Sequence, residues 1–141
     1  MIPNFEDNGK LPAGVHWCSM ADIEDKLSFS QKRLDLIDGL KKVVSSLQKA
    51  GCKNIYIDGS FCTNKSEPGD IDGCWDLTGV DPTKLAPELL VFDDGRKSQK
   101  DKFGCEFFPA NSIAEPPNVL FIDFFQKDRD GDKKGILGIK I

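Results

Sequence analysis

The chain predicts an α/β (α+β) domain: a small mixed sheet of about four strands with helices on one face. Three observations predict it. Leu36/Ile37, Leu40, Val43/Val44, Leu47 and Ala50 recur at spacings of three and four, which makes one apolar stripe on an α-helix. Several short runs, led by Lys53–Asp58 and 70–78, alternate apolar and polar residues between glycine and proline turns. In chain order the segments read helix, strand, short helix, strand, helix, strand, strand.

Size and composition agree with one domain, residues 1–141. A chain of 141 residues with 39% apolar content can bury roughly 68–70% of its unfolded surface. No apolar run is long enough to span a membrane, so no membrane partner is expected. The N-terminal segment lacks a basic start and an apolar stretch, and the five cysteines include no CxxC pair and accompany a single histidine. A disulfide framework and the usual zinc patterns are therefore disfavoured, and a cytoplasmic location with free thiols is expected. The formal charge of −4 disfavours general nucleic-acid binding. It leaves room for a local basic patch, for which Arg96, Lys97, Lys100 and Lys102 are the candidates.

The elements follow in order. Residues 1–15, with Pro3, Gly9, Pro12 and Gly14, read as an irregular arm. Residues 16–27 begin a short helix capped by Ser19, with Asp22 in its first turn. The helix over 30–50 starts at a Ser28–Gln31 capping box or at Ser30, and Gly51 ends it. After the strand Lys53–Asp58, Gly59-Ser60 leads into a helical turn, and Pro68-Gly69 forces the next bend. In the strand over 70–78, Asp70, Asp72, Cys74 and Asp76 face opposite to Ile71, Trp75 and Leu77. Residues 82–92 read as a helix broken at Pro87, 93–104 as a loop or loose helix, and 105–117 has no clear period. Residues 118–125 (NVLFIDFF) read as a strand, with 135–141 as the last strand and a hairpin between them if the turn is tight.

The chemistry concentrates at three places. Asp70 and Asp72 on one strand face repel each other unless a cation or water intervenes, and hard divalent ions take such oxygen ligands. Gly59-Ser60, between a strand and a helical start, lets a phosphate approach the backbone and offers amide and hydroxyl donors. Asp123, amid Phe121, Ile122, Phe124 and Phe125, must be paired, hydrated or metal-bound. Its task would be to hold a metal or to accept a proton from an attacking hydroxyl. Lys65, just beyond Ser60, and Arg96 are further phosphate candidates. The five cysteines read most simply as small buried apolar groups, with Cys62 as the one thiol whose anion the helical turn would stabilise.

The run YIDGSFCTNKSEPGDIDG (56–73) resembles the signature of the DNA-polymerase-beta-like nucleotidyltransferase superfamily: strand, Gly-Ser, spacer, Asp-x-Asp. It is nearest to short, uncharacterised bacterial members with an LPxG arm, here Leu11–Gly14, a Phe-rich strand and a KGI end, here Lys134–Ile136. The resemblance implies an Mg²⁺-dependent transfer of a nucleoside monophosphate from an NTP to an acceptor, with release of pyrophosphate. On it, Gly59 and Ser60 hold the polyphosphate, and Asp70, Asp72 and Asp123 are the catalytic metal ligands for two Mg²⁺ ions. The larger members' nucleotide-binding domain has no room here, which favours an RNA end, a protein or a small molecule as acceptor. Some small bacterial members resemble halves of toxin–antitoxin or phage-defence pairs. The alternatives are an inactive nucleotidyltransferase-like module acting through a protein partner, and a nucleic-acid-binding protein working through residues 96–102.

Overall fold

In the computed structural model, which describes residues 1–141, the chain runs β1 (Gly14–Cys18), α1 (Met20–Leu27), α2 (Gln31–Lys49), β2 (Asn54–Asp58), β3 (Ile71–Trp75), α3 (Asp93–Phe103), β4 (Cys105–Pro109), β5 (Ile113–Glu115), β6 (Val119–Leu120), α4 (Phe121–Phe124) and β7 (Gly135–Lys140). Five strands form one mixed sheet in the order β1–β7–β2–β3–β4, and β5 and β6 pair separately. β2 runs antiparallel to both β3 and β7, while β1/β7 and β3/β4 are parallel pairs.

The α2 stripe is buried as its period requires. Leu36, Ile37, Leu40, Val43 and Leu47 pack on one face of the sheet against Ile55, Ile57, Ile71, Trp75, Phe107, Leu137 and Ile139. Ser30, and not Ser28, caps this helix, its hydroxyl accepting from the Arg33 amide. Ser19 and Asp22 form a reciprocal capping box on α1. Arg33, fully buried, donates to the carbonyls of Leu27, Phe61, Thr63 and Lys65 and lies over the Phe29 and Phe61 rings. One guanidinium thus ties α2 to the loop that follows β2.

Several expectations are corrected. The sheet has five strands, because residues 14–18, assigned to arm and helix from sequence, form β1 alongside β7. The arm is not loose: Ile2 and Leu11 are buried. The Gly135 amide donates to the Leu11 carbonyl, and a Cβ on Gly135 would stand 2.0 Å from the Pro12 oxygen. The LPxG and KGI segments are therefore two sides of one close crossing. Residues 118–125 do not form one strand, since β6 gives way after two residues to the helical turn α4. Phe121 and Phe125 satisfy both strand alternation and helical i,i+4 spacing. Packing chose the helix: Phe121 stacks on Phe108 at 4.3 Å, and the Phe125 amide donates to the Phe121 carbonyl. Phe125 joins Cys74, Ala110 and Ile136 in a second small core on the sheet face away from α2. No hairpin joins 118–125 to β7, whose neighbours are β1 and β2. The broken helix over 82–92 is two short 3₁₀ segments, Pro82–Lys84 and Pro87–Leu90.

Gly39 is the tightest point of the helical layer, as a Cβ there would stand 1.7 Å from the Phe103 carbonyl oxygen. This approach seats the end of α3 on α2 and so places β4, which begins two residues later. Glycine inside a helix normally costs roughly 0.5–1 kcal/mol relative to alanine. Gly39→Ala is nevertheless expected to lower stability by about 1–3 kcal/mol in urea unfolding, because overpacking against backbone outweighs the gain in propensity.

Candidate metal centre

Strand register brings three acids abreast. Asp58 on β2 is paired with Asp72 on β3, and Asp72 with Glu106 on β4. Paired positions share a face, and adjacent strands lie about 4.8 Å apart. Asp70, two residues before Asp72, falls on the same side. Gly73 makes this register possible. A Cβ there would stand 2.4 Å from the Phe107 ring and 2.5 Å from the Tyr56 carbonyl oxygen. Its small size therefore admits a ring of the core.

The two outer acids have cations of their own. Lys134 Nζ stands 3.0 Å from Asp58 Oδ2. Arg96 Nε lies 2.9 Å and Lys100 Nζ 3.4 Å from Glu106 Oε1. Arg96 is turned onto β4 by left-handed backbone at Asp94, Gly95 and Arg96 (φ 52°, 65° and 64°), and its guanidinium also lies over the Phe108 ring. Asp72, in the middle, has no basic partner, and its Oδ1 is buried with no hydrogen-bond partner.

The titration of these groups follows from that arrangement. Burial, then the Asp70 charge and the hydrogen bond to Glu106, push the Asp72 carboxyl up to about 8. Burial and the Glu106 charge also raise Asp70. Burial acts to raise Glu106 as well, but hydrogen bonds from Asp72 and Arg96 with the Lys100 charge outweigh it, and the group falls below its usual value. The surroundings thus favour the neutral form of Asp72 and the charged form of Glu106. Asp58 is raised because burial exceeds the help of Lys134.

One carboxylate oxygen from each of Asp70, Asp72 and Glu106 lies within 4.8 Å of the others. Oxygens on opposite sides of an ion bound at 2.0–2.6 Å are about 4–5 Å apart, so the triad fits a hard divalent cation. The orphaned Asp72 oxygen is the second reason for the fit, since a cation would give it the partner that no side chain supplies.

The phosphate-binding turn of the sequence reading is adjacent. Gly59 has φ 88°, and a Cβ on it would stand 3.0 Å from Asp72 Oδ2. Ser60 opens the three-residue 3₁₀ turn behind it. Gly59, Ser60, Lys65, Asp70, Asp72 and Asp123 all line one polar cleft of about 1290 Å³. Asp123 sits exposed on α4 and is not in the carboxylate cluster, where the third member is Glu106. Arg96 lies outside the cleft lining, its guanidinium held by Glu106. Cys62 is fully buried, which raises its thiol well above the usual value, so the expected thiolate is not stabilised. All five cysteines are free.

Glu106 is the residue that sequence reasoning missed. Cys105 and Phe107 face the main core while Glu106 points away, the same pattern of an acid in an apolar strand that singled out Asp123. Pro109 and the turn after it end the strand too early for the period to show.

Fold and site define a mixed α/β protein with a carboxylate triad that could hold a metal. The chain belongs to the family of unknown function DUF6932, whose model matches residues 3–140. No curated protein and no solved structure matches it.

Without a cation, the fold retains the Asp72 proton that the unfolded chain releases near pH 4. Stability from this group is complete below pH 4 and is lost as pH rises towards 8. Asp72→Asn supplies a neutral amide able to donate to Glu106. It is expected to flatten this decline between pH 5 and 8, with a higher Tm than the parent at pH 8. A parental decline in the variant would show that another group carries it.

Proposed function

We propose that the protein is an Mg²⁺-dependent nucleotidyltransferase that moves a nucleoside monophosphate from an NTP to an acceptor hydroxyl or phosphate, releasing pyrophosphate. The observation that supports it best is the meeting of the Gly59-Ser60 turn with Asp72 at one edge of the cleft. The sequence resemblance requires that juxtaposition, and neither motif alone would produce it. A bound divalent ion would neutralise the triphosphate and polarise the phosphorus under attack. Asp70, Asp72 and Glu106 would hold it. The metal-ligand role that the resemblance gives to Asp123 passes in this reading to Glu106, while Asp123 stays on the cleft wall. Gly59 and Ser60 would receive the polyphosphate, and Lys65 lies within the same cleft. The triad accounts for one ion. A second ion would have to share Asp70 or Asp72 with it, because Asp58 is already engaged by Lys134. Positioning and charge neutralisation would supply most of the rate. No helix is long and apolar enough to cross a membrane.

One observation favours the rival reading, an inactive module working through a protein partner. Arg96 and Lys100 already neutralise Glu106 and compete with a metal for it.

Purified protein with Mg²⁺ or Mn²⁺ and each NTP separates the two. The enzyme reading expects metal-dependent pyrophosphate release, lost at least 100-fold in Asp70→Asn/Asp72→Asn while far-ultraviolet circular dichroism is unchanged. Glu106→Gln should also lose metal binding, measured by calorimetry, whereas Asp123→Asn should keep it. Equal turnover in the double variant and the parent would sink the assignment. Absence of both release and metal–nucleotide coupling would favour the inactive module.

A further inference from the structure

A second surface, on the opposite side of the sheet from the acids, carries the reverse charge. A shallow groove of about 460 Å³ is lined by Lys41, Lys42, Lys49, Lys84 and Lys102, with two serines, Ala86 and Phe103 and no carboxylate. In a chain whose formal charge is −4, five lysines on one groove is a concentrated local field.

The groove stands on fixed elements. Lys41, Lys42 and Lys49 lie on the outer face of α2, opposite its buried stripe. The strap carrying Lys84 is held down where the Ala86 amide donates to Ser46 Oγ at 2.8 Å. Lys102 is brought to α2 by the close approach of Gly39 to the Phe103 carbonyl. Lys41 and Lys102 have partners beyond the groove, Glu24 at 2.6 Å and Glu88 at 3.1 Å. Lys42, Lys49 and Lys84 are exposed and have none within 4.0 Å. The basic run expected at 96–102 is, by contrast, mostly consumed. Arg96 and Lys100 bind Glu106, and Lys97 pairs with Asp101.

We infer that this groove binds the phosphodiester backbone of a nucleic-acid duplex. Three features select that occupant. From Lys41 to Lys49 is about 12 Å of helix axis, enough to meet several successive phosphates at about 3.4 Å per nucleotide of a strand. The groove is too shallow to enclose a free ligand. Its two apolar lining residues are a small alanine and the buried Phe103, so no exposed ring is offered for stacking unpaired bases. Lysines without base contacts position a duplex and do not read its sequence. The inference is independent of the proposed transfer reaction, although a bound duplex would raise the local concentration of an RNA-end acceptor.

The experiment is fluorescence anisotropy of labelled 20-base-pair DNA and RNA duplexes across 50–200 mM salt, with the full chain. Binding is expected, with log K falling against log salt at a slope of about −3 to −4.5, the range for three to five phosphates neutralised. Lys42→Glu/Lys49→Glu/Lys84→Glu should weaken binding at 50 mM salt at least tenfold and lower the slope, whereas Lys97→Glu, outside the groove and paired with Asp101, should bind as the parent does. If the charge-reversed triple variant does not fold, the Lys→Gln triple variant replaces it and should weaken binding at least threefold. The inference is overturned by no binding at 50 mM salt, by a salt-insensitive affinity, or by a folded triple variant that binds normally. It is also overturned if inorganic triphosphate displaces the duplex at micromolar concentration, which would reassign the groove to a free polyphosphate, or if poly-glutamate of equal charge binds as tightly, which would reassign it to an acidic protein.

Discussion

Like charges forced into one row govern this structure. Three neighbouring strands each contribute an acid at the same register position, Asp58, Asp72 and Glu106, and a sheet offers no way to separate them. The two flanking members are relieved by basic side chains from other parts of the chain, Lys134 on one side and Arg96 with Lys100 on the other. Nothing relieves the central one. It retains a proton in the absence of a cation, and a divalent ion could take that proton's place. The most costly position in the row is thus the one best prepared for a ligand, and structure far from the cleft serves to keep it there.

That support can be followed outward. Register between β3 and β4 depends on the space left at Gly73 for Phe107. The seat of β4 depends on α3, and α3 depends on the missing side chain at Gly39. Arg33, by tying α2 to the loop after Gly59, holds the turn that faces Asp72. A substitution at any of these positions would act on the acids through backbone placement, without touching them.

Much of this was legible in the sequence because it rests on short-range rules. The stripe from Leu36 to Leu47, the cap at Ser19, the strand at 54–58 and the shared face of Asp70 and Asp72 each follow from periodicity or from a local hydrogen bond. What escaped rests on partners distant in the chain. Strand β1 is stable because β7, over a hundred residues away, lies beside it. Phe121 and Phe125 fit two periodicities, and stacking on Phe108 decided between them. Glu106 joins the acids through inter-strand register, which no local window contains, whereas Asp123 had a strong local signal and a different position.

The placement of β7 has a consequence for how the molecule is made. This strand lies in the interior of the sheet, between the first strand and the second, yet it is synthesised after all the other strands. Until residues 135–140 have emerged, β1 has no partner and one edge of β2 stays open, an exposed edge of the kind that promotes aggregation. Lys134 arrives with the same segment, so the charge on Asp58 is also relieved only then. A nascent chain therefore holds its acid row short of one counter-charge until β7 threads into the centre, which couples maturation of the cleft to closure of the sheet.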